Sequence, residues 1–170
     1  MDSAHIHLLV NHLPVIGSFL GAMVLAHGLY AKSDATKIAA YNVLMLSSIG
    51  AAIAYFTGEG AEKAVEGISG VLESRIEAHE EFAMIGLITL CILGVAALVA
   101  NYLTLRKPKL TTKTAIVVLL LAFTSFGVAA WTGYLGGQIR HTELNADRVA
   151  PLGGEQGMPL QGRDVEEDND

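Results

Sequence analysis

Charged side chains are scarce in this chain of 170 residues, in which Asp, Glu, Lys and Arg together make up only 16%. A soluble domain carries about 25% charged residues, so the shortage argues against an ordinary water-soluble fold. The few basic residues form no patch that could follow a phosphate backbone, which excludes nucleic acid as a partner. The formal net charge of -6 comes largely from one Glu-rich loop and the C-terminal tail.

Several common sequence motifs are also missing. The single Cys91 lies within an apolar run and cannot form an internal disulfide, so we interpret it as a small buried apolar residue. No CxxCH occurs, which excludes covalent attachment of a haem. The segment His79-Glu80-Glu81 lacks the second histidine of a zinc-protease helix. No Lys or Arg precedes the first apolar run, so we expect a retained helix there and not a signal peptide.

Long apolar runs, in contrast, are abundant, since 52% of the residues are hydrophobic. A helix needs about 20 apolar residues to cross a membrane, and in lipid its backbone polar groups must be satisfied within the helix. The sequence therefore predicts an all-α membrane protein, a bundle of four transmembrane helices in a domain that covers residues 1–141. The predicted spans are about 8–30, 37–57, 80–103 and 114–136.

The positions of Lys and Arg predict the orientation of these spans. The two short connections 31–37 and 104–113 carry six basic residues and one acid, whereas loop 58–78 carries five Glu and only two basic residues. Short basic loops stay on the cytoplasmic side of a membrane. We therefore expect a multi-pass protein of a bacterial inner membrane, with both termini and the Glu-rich loop on the outer, periplasmic side. Tyr30, Tyr41 and Tyr102 would mark the inner interface.

Two segments are predicted to lie outside the bilayer core. Between residues 60 and 77, apolar residues recur at helical spacing with Glu between them, which predicts a short amphipathic helix in the outer membrane interface. Residues 142–170 are rich in Gly, Pro and acid and cannot bury enough apolar area to order themselves. We expect an acidic extramembrane tail that a partner protein holds.

The two halves of the chain resemble each other. His12 opens the first span and the second closes with Ala54-Tyr-Phe-Thr-Gly58, while His79 opens the third and the fourth closes with Ala129-Ala-Trp-Thr-Gly133. We therefore predict two repeated helical hairpins, related by a pseudo-twofold axis along the membrane normal. Because spans one and three begin at the outer surface and the others return to it, most histidines gather there. They are His5, His7, His12, His79 and His141, and only His27 lies at the other end.

Two imidazoles on facing helices are the axial pair that a b-type haem takes, with an apolar slot for its ring and cations for its propionates. We expect His12 to be the most deeply buried histidine, one turn inside its span, and His79 to be its repeat partner. The sequence thus predicts a non-covalent, bis-histidine haem b on His12 and His79. Arg75 and Arg140 lie at the level of its propionates.

The remaining histidines leave other interpretations open. His7 and His141 are further candidates, as ligands of another site or as donors behind the first ligands. The histidines could instead serve structural hydrogen bonds only. A metal ion such as copper or zinc, held by His12 and His79, is the third possibility, because neutral imidazole suits both metals.

The segment His7-Leu-Leu-Val-Asn-His12-Leu-Pro14 resembles the first helix of a large bacterial family of four-helix membrane proteins, known mainly as a domain of unknown function. Its members open with His-Pro, then carry a second His five residues after the first, followed by Phe-Pro. They also have a His at the head of the third helix and Gly-Gly after the fourth. His79 and the segment 131–137 occupy those places here, and the resemblance covers about residues 5–142.

This chain departs from that pattern at two positions, with Leu8 in place of Pro and Leu13 in place of Phe. The first departure weakens the transfer of any family role to His7. Some members of the family are fused to Rieske-type iron–sulfur domains. The resemblance therefore implies a redox setting and favours haem ligation.

Together these features predict a membrane b-type cytochrome subunit that relays electrons between a quinone pool and an external redox partner, such as a c-type cytochrome or an iron–sulfur protein. It would be a non-catalytic subunit of a larger oxidoreductase complex, because one haem near the outer face cannot carry electrons across the whole bilayer. The alternative is a cofactor-free membrane anchor or assembly subunit of a respiratory or photosynthetic electron-transfer complex. A metal-ion handling protein is a third possibility.

Overall fold

The computed structural model describes residues 2–68, 70–107 and 110–140, with Arg140 described for its backbone alone. The predictions for His141, for the Arg140 side chain and for the tail 142–170 lie outside the described residues. Within them the chain is helical and contains no strand. The helices are α1 (Ser3–Val10), α2 (His12–Tyr30), α3 (Asp34–Val65), α4 (Glu73–Arg106) and α5 (Thr111–Arg140).

Four helical segments are long and apolar enough to cross a membrane: Ser3–Tyr30, Asp34–Val65, Glu73–Arg106 and Thr111–Ile139. Each contains one of the four predicted spans. The first is interrupted at Asn11, between α1 and α2. The helices α3 and α4 have 32 and 34 residues, about 50 Å each at 1.5 Å per residue, and are longer than a bilayer requires.

The extra length of α3 and α4 replaces the amphipathic helix that was expected between residues 60 and 77. Because α3 continues to Val65 and α4 begins at Glu73, that prediction of a separate helix is wrong. The apolar spacing in this region belongs to the ends of two long helices. Ile76 is 8% exposed and packs inward, whereas Ile68 and Leu72 in the short loop are exposed.

The four long helices form a closed ring, in which α2 and α4 each pack against both α3 and α5. Helix α1 packs along α3. We call the end that carries α1 and loop 66–72 the histidine end, and the end where α2 leads into α3 the lysine end. The core between the helices is built mainly from small and branched residues, among them Ala22, Leu25, Ala40, Leu44, Leu90, Leu93, Ala97, Val118 and Ala122.

Serine hydroxyls join the helices inside this apolar core. Ser47 Oγ on α3 donates to the Pro14 carbonyl at 3.0 Å, and Ser48 Oγ donates to the Leu90 carbonyl on α4 at 2.7 Å. The helices approach closely at these contacts, since a Cβ at Gly94 would lie only 2.8 Å from Ser48 Cβ. Small residues and polar side chains of this kind are how helices associate in lipid, where apolar burial gives no advantage.

Two residues lie elsewhere than the sequence predicted. Cys91, expected to be buried, is exposed on the outward face of α4. Tyr41, expected at the membrane interface, is fully buried inside the lysine end. The side chains of Tyr30 and Tyr102 are exposed, 87% and 59% respectively, and their place at an interface stays a prediction.

Candidate functional site

His12 is the first residue of α2 and points away from the core. The buried side of this helix includes Pro14, Ser18 and Leu25. Because successive helical residues are about 100° apart, His12 lies on the opposite side from Pro14, two residues later. Its side chain is accordingly exposed. The prediction that His12 is the most deeply buried histidine is wrong, because the proline faces the bundle instead.

His7 occupies the inward position that was expected for His12. Its half-buried ring reaches across from α1 to α3, where Nδ1 lies 2.8 Å from the carbonyl oxygen of Ala54. The ring packs beside Gly58, at which a Cβ would lie 3.8 Å from His7 Cε1. The carbonyl and the glycine are four residues apart, so they lie one helical turn from each other on the same face of α3.

His79 makes the corresponding contacts between α4 and α5. Its half-buried ring places Nδ1 3.0 Å from the carbonyl oxygen of Thr132. Gly136 lies four residues after Thr132, and a Cβ there would come within 3.0 Å of His79 Cε1. A side chain at residue 136 would therefore require the His79 ring to shift by a few tenths of an ångström.

Both imidazoles are therefore held in the same way, each by a carbonyl on the next helix and a glycine one turn beyond it. A carbonyl only accepts hydrogen bonds, so Nδ1 of His7 and of His79 must carry the proton. In a neutral ring this proton fixes the tautomer and leaves Nε2 with a lone pair. Both rings lie at the histidine end of the bundle. The pair consists of one histidine from each hairpin.

Arg75 lies one turn before His79 on α4. Its Nη1 donates to Oε1 of Gln138 on α5 at 3.0 Å, and the amide side chain is only 6% exposed. Both residues have further polar interactions. A half-buried guanidinium thus lies at the level of the imidazole pair. The predicted role of Arg75 towards haem propionates stays a prediction.

Carboxylates line a cavity of about 420 Å³ between the ends of α3 and α4. Glu62 on α3 and Glu80 on α4 both line it, and the proximity of the Glu80 carboxyl raises the pKa of the Glu62 carboxyl from its usual value. Neither His7 nor His79 lines this cavity or the apolar one of similar volume on the outward face of α4. The acidic residues that line it are Glu62, Glu66, Glu73, Glu77 and Glu80.

The remaining described histidines are separate from the pair. His5 is exposed and contacts Asp2, whose carboxylate accepts from the His5 backbone N–H at 3.0 Å and lies 2.6 Å from its Nδ1. These hydrogen bonds lower the pKa of the Asp2 carboxyl from its usual value. His27 is exposed near the lysine end of α2. Throughout the described part of the chain, no three His, Cys, Asp or Glu side chains converge as a metal site would require.

Sequence reasoning named His7, His79 and Arg75 but paired His79 with His12. One signal could have corrected this, because His7 precedes Pro14 by seven residues, two helical turns, and so shares its face. Nothing in the sequence pointed to the carbonyls of Ala54 and Thr132 or to Gly136 as the groups that hold the rings.

The chain matched no protein-family model, no curated protein and no solved structure when it was compared with all three. The family resemblance of its first-helix motif therefore stays a prediction.

Proposed function

We propose that the protein is a membrane b-type cytochrome subunit, in which His7 and His79 are the axial ligands of a non-covalent haem at the histidine end. The observation that carries this proposal is the matched hydrogen bonding of the two rings at Nδ1. Histidines that bind metals almost always donate their other ring N–H to a carbonyl or carboxylate. The ligand pair replaces the predicted one, since His12 is exposed.

The residues present suit a haem better than a lone metal ion. A haem iron needs only two ligands from the protein, whereas a copper or zinc ion takes three or four, and the described residues offer no such group. Gly136 lets the His79 ring approach the backbone of α5 closely, and Gly58 on α3 lies beside the His7 ring. Arg75, one turn before His79 and bonded to Gln138, would supply the cation for the haem propionates.

In this proposal each residue has a distinct task. The carbonyls of Ala54 and Thr132 orient the rings, keep Nε2 unprotonated and increase its basicity as a ligand. Arg75 compensates the negative charge of propionates. The bound haem supplies one-electron transfer, and the protein would relay electrons between a quinone pool and an external redox protein within a larger complex. The bilayer of a bacterial inner membrane is the proposed location, with the histidine end outward.

Reduced-minus-oxidised difference spectra of the purified protein test this assignment. We expect a b-type spectrum in the wild type that is lost in His7→Ala and in His79→Ala. The matched control is His12→Ala, which removes an exposed histidine of the same end and should leave the spectrum intact. Loss of the spectrum in His12→Ala, with retention in His7→Ala, would restore the ligand pair expected from the sequence.

A cofactor-free membrane anchor is the second candidate function. The acidic residues around the cavity between α3 and α4 favour it, because they present a surface to which a basic external protein could dock without any cofactor. A colourless wild type, purified from haem-replete cells, would leave this function in place of the cytochrome.

A further inference from the structure

We infer that a groove between α2 and α5, at the histidine end, binds the head group of a quinone or quinol, with Asn11 as its hydrogen-bonding residue. This inference rests on the proposed function, because it names the place where a quinone pool would meet the protein. We call it the α2–α5 groove and define it by Asn11, Val15, Gly133 and Gly137. An unpartnered amide oxygen lies at one end of this groove, and two glycines form its floor.

The side chain of Asn11 carries a polar atom that the protein leaves unsatisfied. Its Oδ1 is buried and has no hydrogen-bond partner, and a buried acceptor without a partner is destabilising. The residue keeps helical dihedral angles, and its N–H donates to the His7 carbonyl at 2.9 Å. The helical spacing therefore continues from α1 into α2. Asn11 lies one turn after His7 and one turn before Val15, on the same side of the chain.

Gly133 and Gly137 lie on the facing side of α5. A Cβ at Gly133 would lie 3.9 Å from Val15 Cγ2, which pairs these two residues across the two helices. Helix α2 leads away from the histidine end and α5 returns to it, so the two run antiparallel. One turn closer to that end, Asn11 is therefore opposite Gly137, where a Cβ would have no described atom within 4 Å. The Asn11 amide adjoins this open space.

Helix packing does not account for the two glycines of the groove. Where α2 packs on α3, a Cβ at Gly17 would come within 2.8 Å of Ser47 Cβ, so a side chain there would displace its neighbour. A Cβ at Gly21 would come within 2.5 Å of Leu44 Cδ2. The glycines of the groove have no neighbour that close. Glycine is unfavourable inside a helix but is typical of places where a ligand approaches the backbone. We therefore interpret this bare stretch of α5 as a surface for a flat ring.

The amide of Asn11 suits a quinone head group in both of its redox forms. Its Oδ1 accepts from the hydroxyl of a quinol, and its Nδ2 donates to the carbonyl of a quinone. An anionic lipid head group would leave Oδ1 without a donor, because phosphate oxygens accept hydrogen bonds. A head group bound to Asn11 would lie within about one helical turn of His7, one of the two proposed haem ligands.

An apolar surface continues from the groove towards the middle of the bundle. Phe19 follows Val15 by one turn of α2, and Phe126 precedes Gly133 by two turns of α5. The centroids of the two phenyl rings are 5.1 Å apart. They provide the apolar contact that the isoprenoid tail of a quinone requires.

Fluorescence of Trp131, the single tryptophan of the chain, tests the binding, because a quinone bound near Gly133 would quench it. The full-length protein is titrated in detergent with decylubiquinone before haem is added, and we expect saturable quenching. Asn11→Leu should weaken the binding about tenfold, the effect of one lost hydrogen bond. The control His12→Leu changes the adjacent, exposed residue and should bind like the wild type. Absence of saturable quenching in the wild type, or equal affinity in Asn11→Leu, would overturn the inference.

The variant Gly137→Leu tests the shape of the groove. Its side chain fills the open space beside Asn11, so the affinity for decylubiquinone should fall at least about tenfold. The matched control Gly127→Leu adds the same side chain to the same helix, where a Cβ also has no described atom within 4 Å, but about 15 Å away along the axis. It should bind like the wild type. Equal affinities in the two variants would contradict the proposed site.

Two further outcomes assign the ligand and separate the two proposals. An excess of phosphatidylethanolamine should not displace the quinone, and displacement would assign the groove to a lipid instead. Because binding is measured without haem, it is independent of the spectra. Saturable binding that depends on Asn11, without any b-type spectrum, would keep the groove and refute the cytochrome. A b-type spectrum that requires His7 and His79, without saturable binding, would refute the groove alone.

Discussion

Two adjacent glycines near the end of α5 have different surroundings. A Cβ at Gly136 would lie 3.0 Å from His79 Cε1 and 3.2 Å from Nδ1, whereas a Cβ at Gly137 would have nothing within 4 Å. Both residues belong to the same helix, where glycine is unfavourable relative to alanine. Only the first glycine is therefore required for the position of an imidazole.

Replacement of these glycines should give opposite results. Gly136→Ala forces the His79 ring away from the Thr132 carbonyl, so we expect the free energy of unfolding to fall by about 1–2 kcal/mol. Gly137→Ala should leave it unchanged or raise it by up to about 1 kcal/mol. Denaturant unfolding in detergent measures both, and NMR of the ring nitrogens shows whether His79 keeps its hydrogen bond. A similar loss of stability in the two variants would contradict the assigned contact.

At the scale of the helices, most of the structure could be predicted from the sequence, because four apolar runs of sufficient length are a strong signal. The direction of individual side chains was harder to predict. Pro14 decides which side of α2 faces the core and turns His12 outward, and this rotation cannot be obtained from a count of apolar residues. The ends of α3 and α4 were missed for a related reason, since Glu-rich helical ends have the same spacing as a separate amphipathic helix.

Helix α1 should also respond to pH at its first turn. Asp2 caps this helix, and the pKa of its carboxyl is lowered from 3.8 by hydrogen bonds from His5. A lowered pKa in the folded state means that the cap stabilises α1 above the usual carboxyl pKa and is lost as pH falls through the lower, folded-state value. NMR chemical shifts of residues 3–6 should therefore show fraying only below about pH 4.

Two substitutions at Asp2 separate the charge from the cap. Asp2→Ala should fray the first turn at every pH, because no side chain accepts from the His5 N–H. Asp2→Asn keeps an accepting oxygen, since asparagine caps helices about as well as aspartate, and should remove the dependence on pH. Fraying in the wild type that begins near pH 6 would instead indicate that protonation of a histidine controls the turn.

At the scale of the whole molecule, the described residues include four helical segments long and apolar enough to cross a membrane. The connections 31–37 and 104–113 hold six of the eleven Lys and Arg residues of the sequence. The resulting prediction is that the histidine end faces outward. In a Cys91→Ala background, Glu66→Cys and Ala31→Cys place single thiols at exposed positions of opposite ends. An impermeant maleimide added to intact spheroplasts should label Glu66→Cys alone, and inverted vesicles should reverse this pattern. Labelling of Ala31→Cys in spheroplasts would mean the opposite orientation.

The candidate site depends on this whole-molecule arrangement more than on any local motif. His7 and His79 come from opposite halves of the chain. Their positions depend on the packing of α1 against α3 and of α4 against α5. The sequence contains both histidines and shows a similarity between its two halves. The packing of the first helix decides which of its histidines faces the bundle. The two groups that hold the rings are backbone carbonyls, which every residue has, so the sequence gives no signal for them.

The length of α3 and α4 has a mechanical consequence. About 20 residues of each would suffice to cross a bilayer, so a membrane around the bundle would leave the linked ends of the two helices outside the lipid. A docked protein that binds these helix ends and tilts them would shift the α3 backbone at Ala54 and Gly58, which the His7 ring contacts. Contact made in the aqueous phase could thereby adjust the geometry of a site several turns below it.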